Sequence, residues 1–284
     1  PDMYLTRYTS SGSLAWARHA GKGIVDGNGA VFPSTIASDV NGNVYVVGTF
    51  KGKVELGGQS FESKSTQDVF LLKYSETGSF LWASQSSGIN EVDQLSAGGV
   101  AVDTVGNVYV LGEFKGSIDF GGETALASEF GTTDLFLARF NVNGTPDWVK
   151  QIGGYTEDLA GGVALDPQGQ PVITGTFQGS TKLDAAVTLY SSASREMFVS
   201  KYDTTGGLIW FQQAGGGAIS TLEVSDIVIG PNGSSGVTGS FTNDLIFGGQ
   251  THVSSGGADA FYAIFDATGD LVSADTFGGV GEDS

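Results

Sequence analysis

The chain contains no cysteine, which excludes disulfide staples and thiolate metal sites and is compatible with an exported or a cytosolic protein. Basic residues are scarce, 13 Lys and Arg against 31 Asp and Glu, for a formal net charge of −18. A partner that binds by phosphate neutralisation would be repelled over most of such a surface, so nucleic acid is not an expected ligand. No apolar run approaches the roughly 20 residues that span a bilayer, and no basic amphipathic stretch suits an anionic membrane surface. Membrane insertion is not expected. Proline is rare, at 6 residues, and no segment sustains a helical period. Against these absences stand 45 glycines, 40% apolar residues and 11% aromatics, too much glycine for a helical protein and too much apolar surface for disorder.

One block of residues is used repeatedly. Trp16, Trp82, Trp148 and Trp210 stand 66, 66 and 62 residues apart, and Ser273 falls a further 63 on. Gly12, Gly78, Gly144, Gly206 and Gly269 each precede these positions by four. An acidic residue opens each copy, at Asp2, Asp68, Asp134, Glu196 and Asp259, followed by apolar residues, as in Asp68-Val-Phe-Leu-Leu-Lys-Tyr74. A period this long marks one supersecondary unit stacked on its neighbours, which places function in an array and not in a single globular pocket.

A second block recurs from Ile36 to Phe50, Val100 to Phe114, Val163 to Phe177 and Ile227 to Phe241. Its β-branched runs flank turn chemistry such as Asp39-Val-Asn-Gly-Asn43, so it reads as a hairpin of strands A and B. The acidic block with its glycine turn reads as a second hairpin, C and D. Between B and C, segments such as Val54-Glu-Leu-Gly57-Gly58 and Ile118-Asp-Phe-Gly121-Gly122 read as an elaborated loop with one small strand. Gly48, Gly112, Gly175 and Gly239 interrupt strand B where an adjacent sheet or a bulky ring must approach the backbone. With the tryptophans, Phe50, Phe114, Phe177 and Phe241 are expected to fill the space between neighbouring blades. Four antiparallel strands in about 64 residues make a propeller blade, so the predicted fold class is an all-β propeller with A strands on its axis and D strands on its rim.

The stretches Gly161-Gly-Val-Ala-Leu-Asp166, Gly42-Asn-Val-Tyr-Val-Val-Gly48 and Met197-Phe-Val-Ser-Lys-Tyr202 resemble the bacterial seven-bladed β-propeller (SBBP) repeat, along essentially the whole chain. That resemblance implies an extracellular or cell-surface bacterial protein, often large and multidomain, and it carries no catalytic residue over. The expected parts are a partial blade at 1–20, blades at 21–87, 88–153 and 154–215, and a blade with the start of the next at 216–284. This makes four complete blades plus an extra C–D hairpin, read as part of a larger propeller. Pro1-Asp2-Met3 opens inside a copy, as expected for a mature or truncated segment. Ser284 falls where the next A strand would begin. Open sheet edges at either end are expected to meet flanking domains or a protein partner.

No catalytic residue is assigned. His19 and His252 sit in different copies, in registers read as non-equivalent, without the Ser and Asp pattern of a nucleophilic triad. Asp39, Asn41 and Asn43 resemble a calcium loop that lacks a downstream bidentate Glu, and Asp158 and Asp283 follow Gly-Gly pairs; turn and capping roles are expected at all of them, with calcium as the alternative. No other cofactor is implied. The function expected is a non-catalytic extracellular scaffold or binding module of a larger secreted or surface-attached protein. The alternatives are a polysaccharide hydrolase or lyase, or a structural subunit of a cell-surface assembly, and glycans are a second class of partner.

Overall fold

The computed structural model describes residues 2–20, 22–23, 29–121, 125–192, 194–217, 220–281 and 283. Pro1, Gly122 and Ser284, used in the reading above, lie outside them. The fold is all-β, built of propeller blades; among the described residues the one helical turn is the 3-10 segment Glu129–Gly131. A leading hairpin pairs Met3–Tyr8 with Leu14–Ala20. The Trp82 repeat forms a sheet of strands A (Ala30–Ser38), B (Val44–Lys51), C (Asp68–Tyr74) and D (Phe80–Gly88) in that order. The Trp148 repeat carries the same four strands, Gln94–Val102, Val108–Lys115, Thr133–Phe140 and Pro146–Gly154. The Trp210 repeat has Leu159–Leu165, Pro171–Phe177, Glu196–Tyr202 and Leu208–Ala214, and the last repeat Leu222–Ile229, Ser235–Phe241, Asp259–Phe265 and Leu271–Phe277, each as one four-stranded sheet.

The segment between B and C departs from the sequence reading. It holds a two-stranded hairpin, Lys53–Leu56 with Gln59–Glu62, Ser117–Asp119 with Ala125–Ala127, Ser180–Lys182 with Thr188–Tyr190 and Asp244–Phe247 with Gln250–Val253. It also reaches back to the preceding repeat. Ile118 pairs with Gly88, Thr181 with Gly154, Glu55 with Lys22, and Ile246 bridges Gly215. The hairpin thus prolongs the preceding D strand, because the end of that strand offers backbone groups that must find partners once water is excluded.

Two compact units are distinguished, residues 1–127 with 138–149 and residues 128–137 with 150–284; the division runs along strands C and D of the Trp148 repeat. In the first, Met3, Leu5 and Trp16 of the leading hairpin pack with Val46, Phe50 and Phe70 of the Trp82 sheet. In the second, Met197 and Val199 of the Trp210 sheet pack with Leu222, Val237, Phe241 and Phe261 of the last sheet. Strand C of the Trp82 and Trp210 repeats is buried at every residue, which explains apolar runs without period-2 alternation: both faces of the strand are covered.

Candidate functional site

The recurring residues are joined across copies. In each C–D turn the glycine N–H bonds the carbonyl three residues earlier, as Gly144 does to Asn141 O at 2.9 Å. The turn opens with a capping side chain that varies between copies: Asn141 Oδ1 accepts Asn143 N–H at 3.0 Å, and Asp203 Oδ1 accepts Thr205 N–H at 2.7 Å. The indole of the preceding copy lies on this turn. Trp16 Nε1 donates to Glu76 O at 2.8 Å, Trp82 Nε1 to Val142 O at 3.0 Å and Trp210 Nε1 to Ala267 O at 3.2 Å. A Cβ on Gly144 would stand 2.6 Å from the Trp82 ring, beside a backbone φ of +80°. Trp148 is half-buried, with its ring edge-on to Tyr109 at 6.0 Å.

Strand B glycines answer a different demand. Strand A carries a bulge opposite them, at Pro33/Thr35, Ala97/Gly99, Ala160/Gly162 and Val224/Asp226. A Cβ on Gly48 would meet Phe32 O at 2.2 Å and the Phe70 ring at 2.9 Å; on Gly239 it would meet Glu223 O at 2.0 Å and the Phe261 ring at 2.7 Å. Gly175 faces Leu159 O and Phe198 in the same way, and Gly112 pairs with Ala97 at its bulge. What approaches is therefore a bulky ring, one of the two alternatives read from sequence, here from the same sheet, together with the bulged neighbouring strand in place of an adjacent sheet. Phe50, Phe114, Phe177 and Phe241 are buried. Phe50 and Phe241 belong to the clusters that join neighbouring sheets within each unit.

The acidic residue opening strand C is a buried anchor. Asp68 accepts Lys64 N–H at 2.9 Å, Ser65 N–H at 3.2 Å, Ser65 Oγ–H at 2.6 Å and the Gln85 amide at 2.7 Å. Glu196 accepts Ser192 N–H at 2.8 Å and the Gln213 amide at 2.5 Å. The glutamine comes from the same D-strand position each time, Gln85, Gln151 and Gln213. In the leading hairpin that position is His19, whose Nε2 lies 3.1 Å from Asp2 Oδ2. His19 thus stands at the glutamine register and His252 on an accessory strand, so the two registers are non-equivalent as read from sequence; the carboxylate beside His19, Asp2, is what that reading missed. The signal was the 66-residue offset of His19 from Gln85, visible only once glutamine is known to be the anchor's partner. His252 lies in the accessory hairpin with its ring 6.5 Å from Phe247.

A second carboxylate follows the D strands of the Trp82, Trp148 and last repeats, whereas Ser220 follows that of the Trp210 repeat. Asp93 accepts Ile89 and Asn90 N–H groups at 2.9 and 2.8 Å, Asp158 accepts Gly154 N–H at 3.2 Å, and Asp283 accepts Gly279 N–H at 2.8 Å. The Trp148 repeat is poorly supplied. Asp134 receives Glu129 N–H at 3.1 Å and the Gln151 amide at 2.6 Å on Oδ2, while its Oδ1 and Asp158 Oδ1 are buried without a hydrogen-bond partner. Burial pushes Asp158 up to about 8, partly offset by the nearby Thr181 hydroxyl and reinforced by the charge of Asp134. Burial likewise pushes Asp134 up to about 6. At the A–B turn, Asp39 Oδ1 accepts Asn41 and Asn43 N–H groups, both at 2.9 Å, so this carboxylate is committed to the turn. Among the described residues no three His, Cys, Asp or Glu side chains converge as a metal-binding group.

Grooves lie where a D strand meets the next accessory hairpin. One of about 340 Å³ is lined by Arg18, His19, Glu55, Gly57 and Phe80, and another of about 320 Å³ by Glu129, Lys150, Gln151, Gly153, Lys182 and Asp184.

No protein-family model matches the chain. It is 28% identical over 261 residues to the regulatory protein FlaEY of Caulobacter vibrioides, an alignment covering 85% of this chain and 26% of that protein. It is 27% identical over 245 residues to an uncharacterised WD repeat-containing protein of Acanthamoeba polyphaga mimivirus, covering 71% of this chain and 17% of the other. The chain thus spans about a quarter or less of these relatives' length. Among solved structures, a puromycin hydrolase mutant superposes on 96% of this chain and 42% of its own, at 13% identity and a TM-score of 0.42.

Proposed function

We propose that the chain is a non-catalytic scaffold or binding module within a larger bacterial protein that is secreted or attached to the cell surface. The observation that carries this is an uncovered sheet face. Strands B and C of the Trp210 repeat are buried at every residue, whereas those of the last repeat alternate buried with more exposed positions. In the leading hairpin Tyr4 is 78% and Tyr8 60% exposed. Strand Met3–Tyr8 has one neighbour among the described residues, Leu14–Ala20, so its other edge offers backbone donors and acceptors. Apolar faces beside free edges are what a further strand or a protein partner covers. The small share of the relatives' length, and the regulatory name borne by one of them, fit a module that acts through contacts.

Sedimentation across a concentration series tests the reading. The wild-type chain is expected to self-associate weakly through this hairpin, and Tyr4→Lys with Leu14→Lys to abolish association without unfolding. A strictly monomeric wild type whose Met3–Tyr8 amides are protected from exchange would overturn it, as would turnover of any polysaccharide in a panel assay.

A further inference from the structure

The repeat supplies its own controls: the strand-C carboxylate keeps a bare Oδ1 in the Trp148 and last repeats, at Asp134 and Asp259, and at the junction of the Trp148 and Trp210 repeats a second bare carboxylate, Asp158, and a buried hydroxyl, Thr181, join it. In the Trp82 repeat the carboxylate pair Asp68 and Asp93 is met by backbone and side-chain donors, among them Ser65 and Asn90. In the Trp148 repeat the position of Ser65 is Gly131, which has no side-chain donor, and the fully buried Asp134 and Asp158 each keep an Oδ1 with no partner. A further departure lies on the accessory hairpin of the Trp210 repeat, which pairs with Gly153 and Gly154 beside these carboxylates. Val54, Ile118 and Leu245 are buried apolar residues at one position of three hairpins, and Thr181 occupies it in the fourth. Thr181 is fully buried, with its hydroxyl close enough to Asp158 to favour the anion and with no other hydrogen-bond partner.

Buried carboxylate oxygens without donors are costly to leave bare. With the Thr181 hydroxyl beside Asp158, the two carboxylates make an all-oxygen set that a cation would complete. The two carboxylates flank a single peptide unit. The carboxyl carbon of Asp134 lies 2.3 Å from where a Cβ on Gly153 would be, and Asp158 binds the N–H of Gly154. Glycine at 153 is what lets Asp134 settle there.

We propose that Asp134, Asp158 and Thr181 bind a divalent cation, with calcium as the preferred ion. The ligands are hard oxygens only, two of them carboxylates, which a doubly positive ion would hold in their charged form. Calcium accepts irregular oxygen sets completed by backbone carbonyls or water, whereas magnesium demands a near-ideal octahedron. The site goes beyond the binding-module reading and does not depend on it.

The test is calcium titration of the chelator-treated chain, followed by melting temperature and calorimetry. A saturable rise in melting temperature is expected, because an ion bound only by the folded state stabilises it by mass action, with a much smaller rise for magnesium. Thr181→Val restores the residue type of the other copies, so it should fold, and it should weaken calcium binding by about tenfold or more. Asp158→Asn should abolish the response, while Asp93→Asn should keep it. An unchanged melting temperature of the wild type between chelator and millimolar calcium overturns the proposal. So does a full calcium response in Thr181→Val, which decides the matter even where Asp158→Asn does not fold.

Discussion

Trp82 and Gly144 form a coupled pair, and their coupling can be measured. Removing the half-buried Trp82 ring loses its contact area and the bond to Val142 O. Trp82→Ala is therefore expected to cost about 2 to 4 kcal/mol in urea unfolding, at or just below the range for fully buried aromatics. Gly144→Ala meets both a positive φ and the indole at 2.6 Å, and should cost more than about 1 kcal/mol. In the Trp82→Ala background the steric part disappears, so the two costs should fall short of additivity by about 1 kcal/mol. Strict additivity would mean that ring and turn do not meet. The sequence displays each glycine four residues before its own tryptophan, but the indole that packs on Gly144 belongs to the previous copy. Periodicity records equivalence and not contact, so this partnership was not legible.

The turn caps yield a pH prediction at the same scale. Hydrogen bonds from the Thr205 side chain and from the backbone hold Asp203 below the usual carboxylate value of 3.8, and the Thr268 side chain and backbone do the same for Asp266. A depressed folded pKa contributes stability that is present above the unfolded value and lost as pH falls through the folded one. Asp203→Asn should therefore match the wild type near pH 7, since Asn141 already serves as such a cap, and should lose less stability than the wild type when the pH is taken below about 4. An identical pH profile for both proteins would refute this role of the charge.

At the scale of elements, the accessory hairpin joins each repeat to the one before it. Ile118 is fully buried and its backbone pairs with Gly88. Ile118→Ala is expected to cost about 2 to 4 kcal/mol, and amide exchange at Ser87 and Gly88 should accelerate with it. Unchanged exchange there would mean that the hairpin is a decoration and not a splice. Strands A to D were legible because turn residues and β-branched runs alternate along the chain. The hairpin was read as one small strand, since its second half, such as Gln59–Glu62, is polar and largely exposed. A strand held by backbone pairing and not by burial leaves little mark on composition.

Across the molecule, charge opposes compaction. The acidic excess leaves a net charge of −18, and of the ion pairs seen only Lys201–Asp166, at 2.8 Å, is buried on both sides. Self-repulsion of this kind is screened over a Debye length of about 10 Å at 0.1 M salt. The melting temperature should therefore rise by a few degrees as sodium chloride goes from low millimolar to about 0.2 M, in the presence of chelator. A fall would show that surface ion pairs outweigh the repulsion.

By itself the sequence determined the repeat, the four-stranded unit, the glycine turns and the exclusion of disulfide and thiolate chemistry, because these depend on local backbone preference and on composition. Tertiary structure decided which copy meets which: Trp82 on Gly144 and Ile118 on Gly88. It also decided the fate of the carboxylates. Asp68 and Asp134 are the same letter at the same register, and only the donors folded around each make the first a satisfied anchor and leave the second with a bare oxygen. Desolvation and hydrogen-bond supply are properties of surroundings that no single copy of the repeat encodes.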